Sequence, residues 1–307
     1  MTQDREYHRP VMAKEVVELL GPVPPGVVVD ATFGGGGHAR RLLEVLGPDH
    51  RVIGIDRDPE AVSRAPDEGG RLLVVRGNFA NLAELLEQMT VSAPVGLLFD
   101  FGVSSRHLDD ASRGFSYRHR GPLDMRMDPD QQLTAADLVN GLELRELADV
   151  IRRYGEEPMA GRIAAAIVAA RPIESTTALA EIIAAAVLPR PRRLHPARRT
   201  FQALRIAVNQ ELEAIEQGID AGLELLAVEG RLVAISYHSL EDRLVKQRLA
   251  SATSGCICPP DLPVCGCGAS PRYRSLTRGA LKPSPEEASA NPRARSARLR
   301  AVMRVAA

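Results

Sequence analysis

A β-branched run ending in a carboxylate, Val27-Val28-Val29-Asp30, is closely followed by Gly34-Gly35-Gly36-Gly37 and then by a helix-compatible stretch, His38 to Leu46. A strand, a tight glycine turn and a helix in immediate succession admit few folds. The pattern continues: Arg51 to Asp56, Arg71 to Val75 and Val95 to Asp100 are further buried-looking runs with helical sequence between them. Strands alternating with helices make βαβ units, which predict an α/β fold with a doubly wound, mostly parallel sheet.

After Asp100 the strand rhythm stops, and the apolar spacing becomes helical. It runs through Leu144, Leu147, Ile151 and Tyr154, through Met159, Ile163 and Ile167, and through Leu179, Ile183 and Val187. A last set comprises Phe201, Leu204, Val208, Leu212 and Ile215. Thr134-x-x-Asp137 reads as a capping signal at the start of this helical region. Sheet sequence resumes at Gly230 to Ser236, and Leu299 to Val305 reads as a closing edge strand; Cys256 to Pro292, rich in Pro, Gly and Cys, reads as a long loop. The 307 residues suit two domains at a prior of about 150 residues each. The expected division is an α/β domain split between 1–104 and 213–307, with an inserted, mainly helical domain over 105–212.

A hydrophobic content of 45% with 25% charged residues excludes wholesale disorder. Apolar runs such as Ala184 to Leu188 fall far short of the roughly 18 to 20 residues that cross a bilayer, and Met1 to Glu6 carries no apolar signal segment. A cytoplasmic protein with no membrane partner is the expectation. The formal charge of zero hides an uneven distribution: from Ile182 to Gln210 there is no Asp or Glu, yet the stretch holds Arg190, Arg192, Arg193, His195, Arg198, Arg199 and Arg205. Such a block suits a phosphate backbone, although most charge runs are solvated helix faces.

Gly34 to Ala39 satisfies G-x-G-x-x-G/A, and Asp56 lies 20 residues after Gly36 at the end of the second predicted strand. That is the dinucleotide fingerprint, and the glycines also suit a plain strand-to-helix turn. Asp30, Asp56 and Asp100 each end a predicted parallel strand, so three carboxylates share the edge where such sheets bind ligands. A pyrophosphate would be repelled there. S-adenosyl-L-methionine fits better, with a ribose for Asp56 and cationic sulfonium and ammonium groups for the other acids. A nicotinamide-dependent oxidoreductase would share the loop and Asp56, and a non-catalytic RNA-binding protein would share the Arg block.

Several segments closely resemble the bacterial RsmH (MraW) family. They are Asp30-Ala31-Thr32-Phe33-Gly34-Gly35-Gly36-Gly37-His38, Ile55-Asp56-Arg57-Asp58-Pro59, Asp100-Phe101-Gly102-Val103-Ser104-Ser105 and Arg113-Gly114-Phe115-Ser116. Others are Gly121-Pro122-Leu123-Asp124-Met125-Arg126-Met127-Asp128, Arg199 to Arg205, Ser236 to Arg243 and Asn291 to Ser296. The resemblance implies a Rossmann-like class I methyltransferase domain with an inserted RNA-recognition domain. It implies methyl transfer from S-adenosyl-L-methionine to the N4 amine of a cytidine in 16S ribosomal RNA, free or in the small ribosomal subunit; a homodimer is left open. By the same resemblance Gly36, Gly37 and His38 hold the cofactor, Asp56 its ribose, Phe79 its adenine face and Asp100 its methionine end or the reacting region. Phe79 also reads as a core aromatic. His107 stands at a further cofactor position where the family pattern has Gln.

Cytosine N4 is a poor nucleophile because its lone pair is delocalised into the ring. The reaction needs an acceptor that turns the lone pair toward the methyl group and receives a proton, with in-line positioning supplying much of the rate. Asp100 is the first catalytic candidate. His238, after the fifth predicted strand, reads either as a proton acceptor or RNA contact, or as an anchor between that strand and a helix started by a Ser239-x-x-Asp242 box. Asp124 and Arg126 read as lining the substrate side, with no definite role. Cys256, Cys258, Cys265 and Cys267 suit either a structural zinc or reduced thiols and a reversible disulfide. No catalytic metal is expected, since methyl transfer from a sulfonium needs none.

Overall fold

The computed structural model describes residues 10–66, 68–187, 195–254 and 270–306. The chain divides into two compact units, Met1–Gly102 with Leu212–Ala307, and Val103–Glu211.

The first unit is built on seven strands: β1 (Val27–Asp30), β2 (Arg51–Asp56), β3 (Leu72–Arg76), β4 (Gly96–Asp100), β5 (Arg231–Ser236), β6 (Tyr273–Ser275) and β7 (Arg298–Arg304). Their order in the sheet is β3-β2-β1-β4-β5-β7-β6. The pairs among β1 to β5 are parallel, and β7 runs antiparallel to both its neighbours. Alternate residues face opposite sides: Val29, Ile55, Leu97 and Phe99 enter one core with Ile219, while Val28, Val52, Leu98 and Val233 enter another with Leu20 and Leu42. With both faces covered, β1, β2, β4 and β5 must be apolar almost throughout. That is why the runs were readable in sequence.

The C-terminal strand differs from its expectation. β7 is not the edge; it pairs with β5 on one side and β6 on the other. The edge strand β6 lies inside the segment read as loop, and three residues are too few to show alternation. It is anchored by Tyr273, which is buried and donates its hydroxyl to the Leu223 carbonyl.

The second unit has its own core, formed around Leu147, Ile151, Ile163, Ile167, Leu179, Ile183, Phe201 and Leu204. Its longer helices are Leu144–Gly155, Ala160–Ala169, Thr176–Ala186 and Arg198–Asn209. Thr134 and Asp137 form the expected capping box at the start of helix Ala135–Gly141. The apolar run from Phe201 to Ile215 is not one helix. Gln210 takes a left-handed conformation (φ 49°), ending Arg198–Asn209 before Glu211–Leu225 begins. Among the described residues no helix is long and apolar enough to cross a membrane.

Candidate active site

The sheet order reverses between β1 and β4, and in open α/β sheets ligands bind beyond the carboxyl ends of the strands at that point. Register places the strand ends together: Asp30 is level with Gly54 of β2 and Leu98 of β4, and Asp100 is level with Ile235 of β5. The glycine loop lies at this edge. Gly36 has φ 70°, and a Cβ there would stand 2.7 Å from the Phe33 ring, so no other residue fits without movement. Gly36 is also the N-cap of helix Gly37–Val45 and offers no side-chain acceptor to its first N–H groups. Asp56 fixes the loop from β2. Its Oδ2 accepts from Gly34 N–H at 2.7 Å and its Oδ1 from Asp58 N–H at 2.9 Å.

Asp100 is held from three sides. Its backbone N–H donates to Thr32 Oγ1 at 2.6 Å, the Tyr237 hydroxyl donates to Oδ1 at 2.6 Å, and His38 Nε2 stands 3.4 Å from Oδ2. Tyr237 is the first residue after β5, next to β4 in the sheet. Its ring lies 3.3 Å from where a Gly102 Cβ would be, and Gly102 has φ 103°, so the backbone leaves β4 in a path open to glycine. Burial pushes the Tyr237 hydroxyl well above the usual phenol range, and the Asp100 carboxylate pushes it the same way. Tyr237 therefore stays a proton donor. Burial draws the His38 imidazole down, but the hydrogen bond and charge of Asp100, with the charge of Asp30, outweigh it and leave the group raised.

Asp30 is 1% exposed; its Oδ1 accepts from Thr32 N–H at 3.3 Å, while its buried Oδ2 has no hydrogen-bond partner. Burial, reinforced by Asp100 and Asp56 and opposed by His38 and the Thr32 N–H, pushes its carboxyl up to about 6. The folded state thus keeps the Asp30 proton over a range where the unfolded chain has released it. Stability from this group is complete below about 3.8 and is lost as pH rises through about 6, a difference worth about 3 kcal/mol. The raised His38 acts in the same direction: its contribution holds below 6.5 and is lost at higher pH. Urea unfolding of the cofactor-free protein, wild type against Asp30→Asn, should show the variant gaining on wild type from about pH 4 to about pH 7. A difference that stays constant with pH would remove this assignment.

The other residues expected in the site fall in different places. Phe79, after β3, is 9% exposed and packs edge-on against Phe99 (5.9 Å) and tilted against Phe101 (5.8 Å). His238 caps helix Ser239–Ser254: its Nδ1 accepts from Glu241 N–H at 3.4 Å, and its Nε2 is 3.0 Å from Glu241 Oε1. Glu241 in turn accepts from the backbone N–H groups of Tyr237 (2.6 Å) and His238 (3.2 Å). The box anticipated at Ser239 and Asp242 is thus formed one residue earlier, because Asp242 is drawn to Arg300 at 2.9 Å. These contacts favour the anchoring reading of His238. Gly36, Gly37, His38, Asp56, Phe79, Asp100 and His238 all belong to the first unit; His107 belongs to the second, buried and stacked on Phe115 at 4.9 Å.

Asp124 and Arg126 pair with one another: the Arg126 guanidinium makes two hydrogen bonds to the carboxylate, at 3.0 and 2.7 Å. Arg126 also donates to the carbonyls of Pro129 and Gln131, so within the second unit the pair shapes its own loop. In the acid-free stretch, Arg205 is bound through two nitrogens to Glu211; Arg198 and Arg199 are exposed, and Arg199 donates to the Glu156 carbonyl at 3.1 Å and stands 3.8 Å from the buried Glu157 carboxylate. Arg190, Arg192, Arg193 and the four cysteines lie outside the described residues. Tyr237 and Thr32 were not anticipated as site residues; the one available signal was their adjacency to His238 and to the glycine loop.

A mostly parallel seven-stranded sheet in this order, with a glycine loop after β1 and acids ending β1, β2 and β4, defines a Rossmann-like domain of the class I methyltransferase type. The chain belongs to the MraW methylase family, whose model matches residues 5–305. It is 50% identical to the ribosomal RNA small subunit methyltransferase H of Symbiobacterium thermophilum, over 98% of this chain and 98% of that protein. The protein of the same name from Thermomicrobium roseum is 51% identical over 97% of this chain and 94% of its own length. A solved rRNA methylase structure from Streptococcus thermophilus is 12% identical with a TM-score of 0.40, covering 96% of this chain and 94% of that one.

Proposed function

We propose that this protein transfers a methyl group from S-adenosyl-L-methionine to the exocyclic N4 amine of a cytidine in small-subunit (16S) ribosomal RNA, in the cytoplasm. The observation that carries the reading is the Asp100 carboxylate at the switch point of the sheet, gripped by Tyr237 and His38 beside the glycine loop. Membership of a methylase family and relatives named as small-subunit rRNA methyltransferases support it. They support neither a nicotinamide-dependent oxidoreductase nor a non-catalytic RNA-binding protein.

The residues present fit the cofactor. The partnerless, buried Asp30 Oδ2 is suited to a cationic group, and two further carboxylates share its edge. A dianionic pyrophosphate has no such welcome. S-adenosyl-L-methionine supplies, when bound, a methyl group activated on a sulfonium. Gly36, Gly37 and His38 would shape the loop side of its site, Asp56 would hydrogen-bond the ribose, and Phe79 would meet the adenine.

Asp100 acts on the nucleotide. Its carboxylate accepts a hydrogen bond from the N4 amine, turns the lone pair out of conjugation and toward the methyl group, and receives the amine proton as the N4–methyl bond would form and the methyl–sulfonium bond would break, its electron pair staying on sulfur. Tyr237 and His38 hold the carboxylate in one orientation, which keeps the acceptor in line. His238 locks the β5 end through Glu241 and so sets the position of Tyr237. The second unit is the RNA-recognition domain, with exposed Arg198 and Arg199 as phosphate contacts. Mass spectrometry of ribosomal RNA incubated with the protein and labelled cofactor tests the whole reading: label on cytidine N4 is expected, and its absence from every cytidine overturns it.

Asp56→Ala should weaken the affinity for S-adenosylhomocysteine by on the order of tenfold to a hundredfold, the worth of a hydrogen bond to a charged group. The fall should come with a looser Gly34 turn, because the same carboxylate holds the Gly34 N–H. Calorimetric titration of the folded variant checks this. Undiminished affinity would detach Asp56 from the cofactor.

A further inference from the structure

The second unit carries, at the margin of its core, a half-buried aromatic ring held next to a cationic tip. Tyr117 meets the buried Phe201 edge-on (5.6 Å, 81°) and stacks on His195 (4.6 Å, 15°). His195 is exposed, yet its orientation is fixed: Nδ1 accepts from the N–H of buried Ala197 at 3.2 Å, and its carbonyl accepts from Arg198 N–H at 3.1 Å. The residues after Tyr117, namely Arg118, His119 and Arg120, are all exposed. They do not hang free. The hydroxyl of Thr176, a wholly buried residue, donates to the His119 carbonyl at 2.7 Å and accepts from Gly121 N–H at 3.0 Å. The next residue, Pro122, bridges to Ser175. The Arg118 guanidinium stands 6.0 Å from the Tyr117 ring centre.

We infer that Tyr117 and His195 form a stacking platform for an unpaired base of the RNA, with Arg118 and Arg120 taking the phosphates on either side. The inference rests on the RNA-methyltransferase reading above. An unstacked base presents a planar face, and proteins recognise single-stranded RNA by stacking it on aromatic rings beside cations. A ring already ordered by the fold loses little conformational freedom on meeting such a base. Two cations at the rim match a polyanion and give no advantage to an apolar protein partner. The arrangement joins two distant segments, and the His195 side follows directly on Arg190, Arg192 and Arg193 in sequence.

Binding of the full-length protein to an unmethylated small-subunit rRNA transcript, measured over a series of salt concentrations, tests the platform. His195→Ala should weaken binding by about fivefold to a hundredfold, the range for loss of one base–aromatic stack, and leave the salt dependence unchanged because no phosphate contact is lost. His195→Phe should bind like wild type. Replacing Arg118 and Arg120 by Gln should instead flatten the logarithmic salt slope by about 0.7 for each lost phosphate contact. S-adenosylhomocysteine affinity should be the same in all three, and an unchanged circular dichroism spectrum and urea unfolding midpoint report that the second unit keeps its fold. Wild-type affinity in His195→Ala, a flattened slope in that variant, or failure of His195→Phe to restore binding would each overturn the platform. Should the platform variants fail these expectations while wild type still methylates the RNA, only this inference falls. If wild type neither binds nor methylates the transcript, the functional reading falls and the platform with it.

Discussion

Asp100→Asn is expected to lower the single-turnover rate of methyl transfer by about a hundredfold to ten-thousandfold at saturating cofactor and RNA, the range for loss of a positioned proton acceptor. The substitution is nearly isosteric. The remaining Oδ1 still accepts from the Tyr237 hydroxyl, and the backbone N–H still donates to Thr32 Oγ1. What disappears is the negative charge and the oxygen facing His38 Nε2. An amide can accept a hydrogen bond from the N4 amine but cannot take its proton, so binding and chemistry separate.

That separation makes the result decisive. If Asp100 is the acceptor, the affinity for S-adenosylhomocysteine changes little while the saturated rate collapses. If the affinity falls and the saturated rate stays, Asp100 holds the cofactor and the acceptor lies elsewhere. The raised His38 supplies a second check: part of its rise comes from the Asp100 charge, so the variant's imidazole should titrate at lower pH than wild type's in an NMR titration.

The sequence revealed the carboxyl edge of the sheet because local chemistry marks each of its parts. Asp30, Asp56 and Asp100 each follow a run apolar enough to be buried on both faces, and the glycines that follow β1 mark the turn into a helix. Tyr237 was not legible, because its partnership with Asp100 depends on β5 lying next to β4, a pairing written in tertiary structure. The helix break at Gln210 was hidden by an apolar rhythm that continues across it, and β6 by its three-residue length. His238 was noticed for its chemistry, but its two ring nitrogens answer to Glu241, whose position three residues along the chain gave no sign of which capping pair would form. Asp124 and Arg126 read as lining the substrate side with no definite role; within their unit they are held by internal contacts.

Those contacts make Asn209→Ala the substitution expected to cost most stability. Asn209 is 4% exposed at the end of helix Arg198–Asn209, and its Nδ2 donates to the carbonyls of Met125 (2.7 Å) and Arg205 (2.9 Å). Its Oδ1 accepts from Met127 N–H at 2.8 Å. The amide therefore serves as the pairing partner of a segment that has no strand to pair with. Met125 is wholly buried in a left-handed conformation (φ 59°), which turns its carbonyl inward and commits that group to a side-chain donor. Alanine leaves the Met125 carbonyl and the Met127 N–H buried without this partner, each at about 1 to 3 kcal/mol, so a loss of about 2 to 6 kcal/mol is expected. Asn209→Asp keeps the acceptor for Met127 N–H but sets an anionic oxygen against the Met125 carbonyl, and should be no better than alanine. Arg113, which donates at 3.0 Å to the carbonyls of both Arg126 and Met127, remains to hold the loop, so the second unit weakens without losing its fold. Urea unfolding of the full chain checks the magnitude, and S-adenosylhomocysteine affinity should stay near wild type because the glycine loop and Asp56 belong to the first unit. A loss below about 1 kcal/mol, the net worth of a single ordinary hydrogen bond, would mean that the segment finds other partners and that Asn209 is not its anchor.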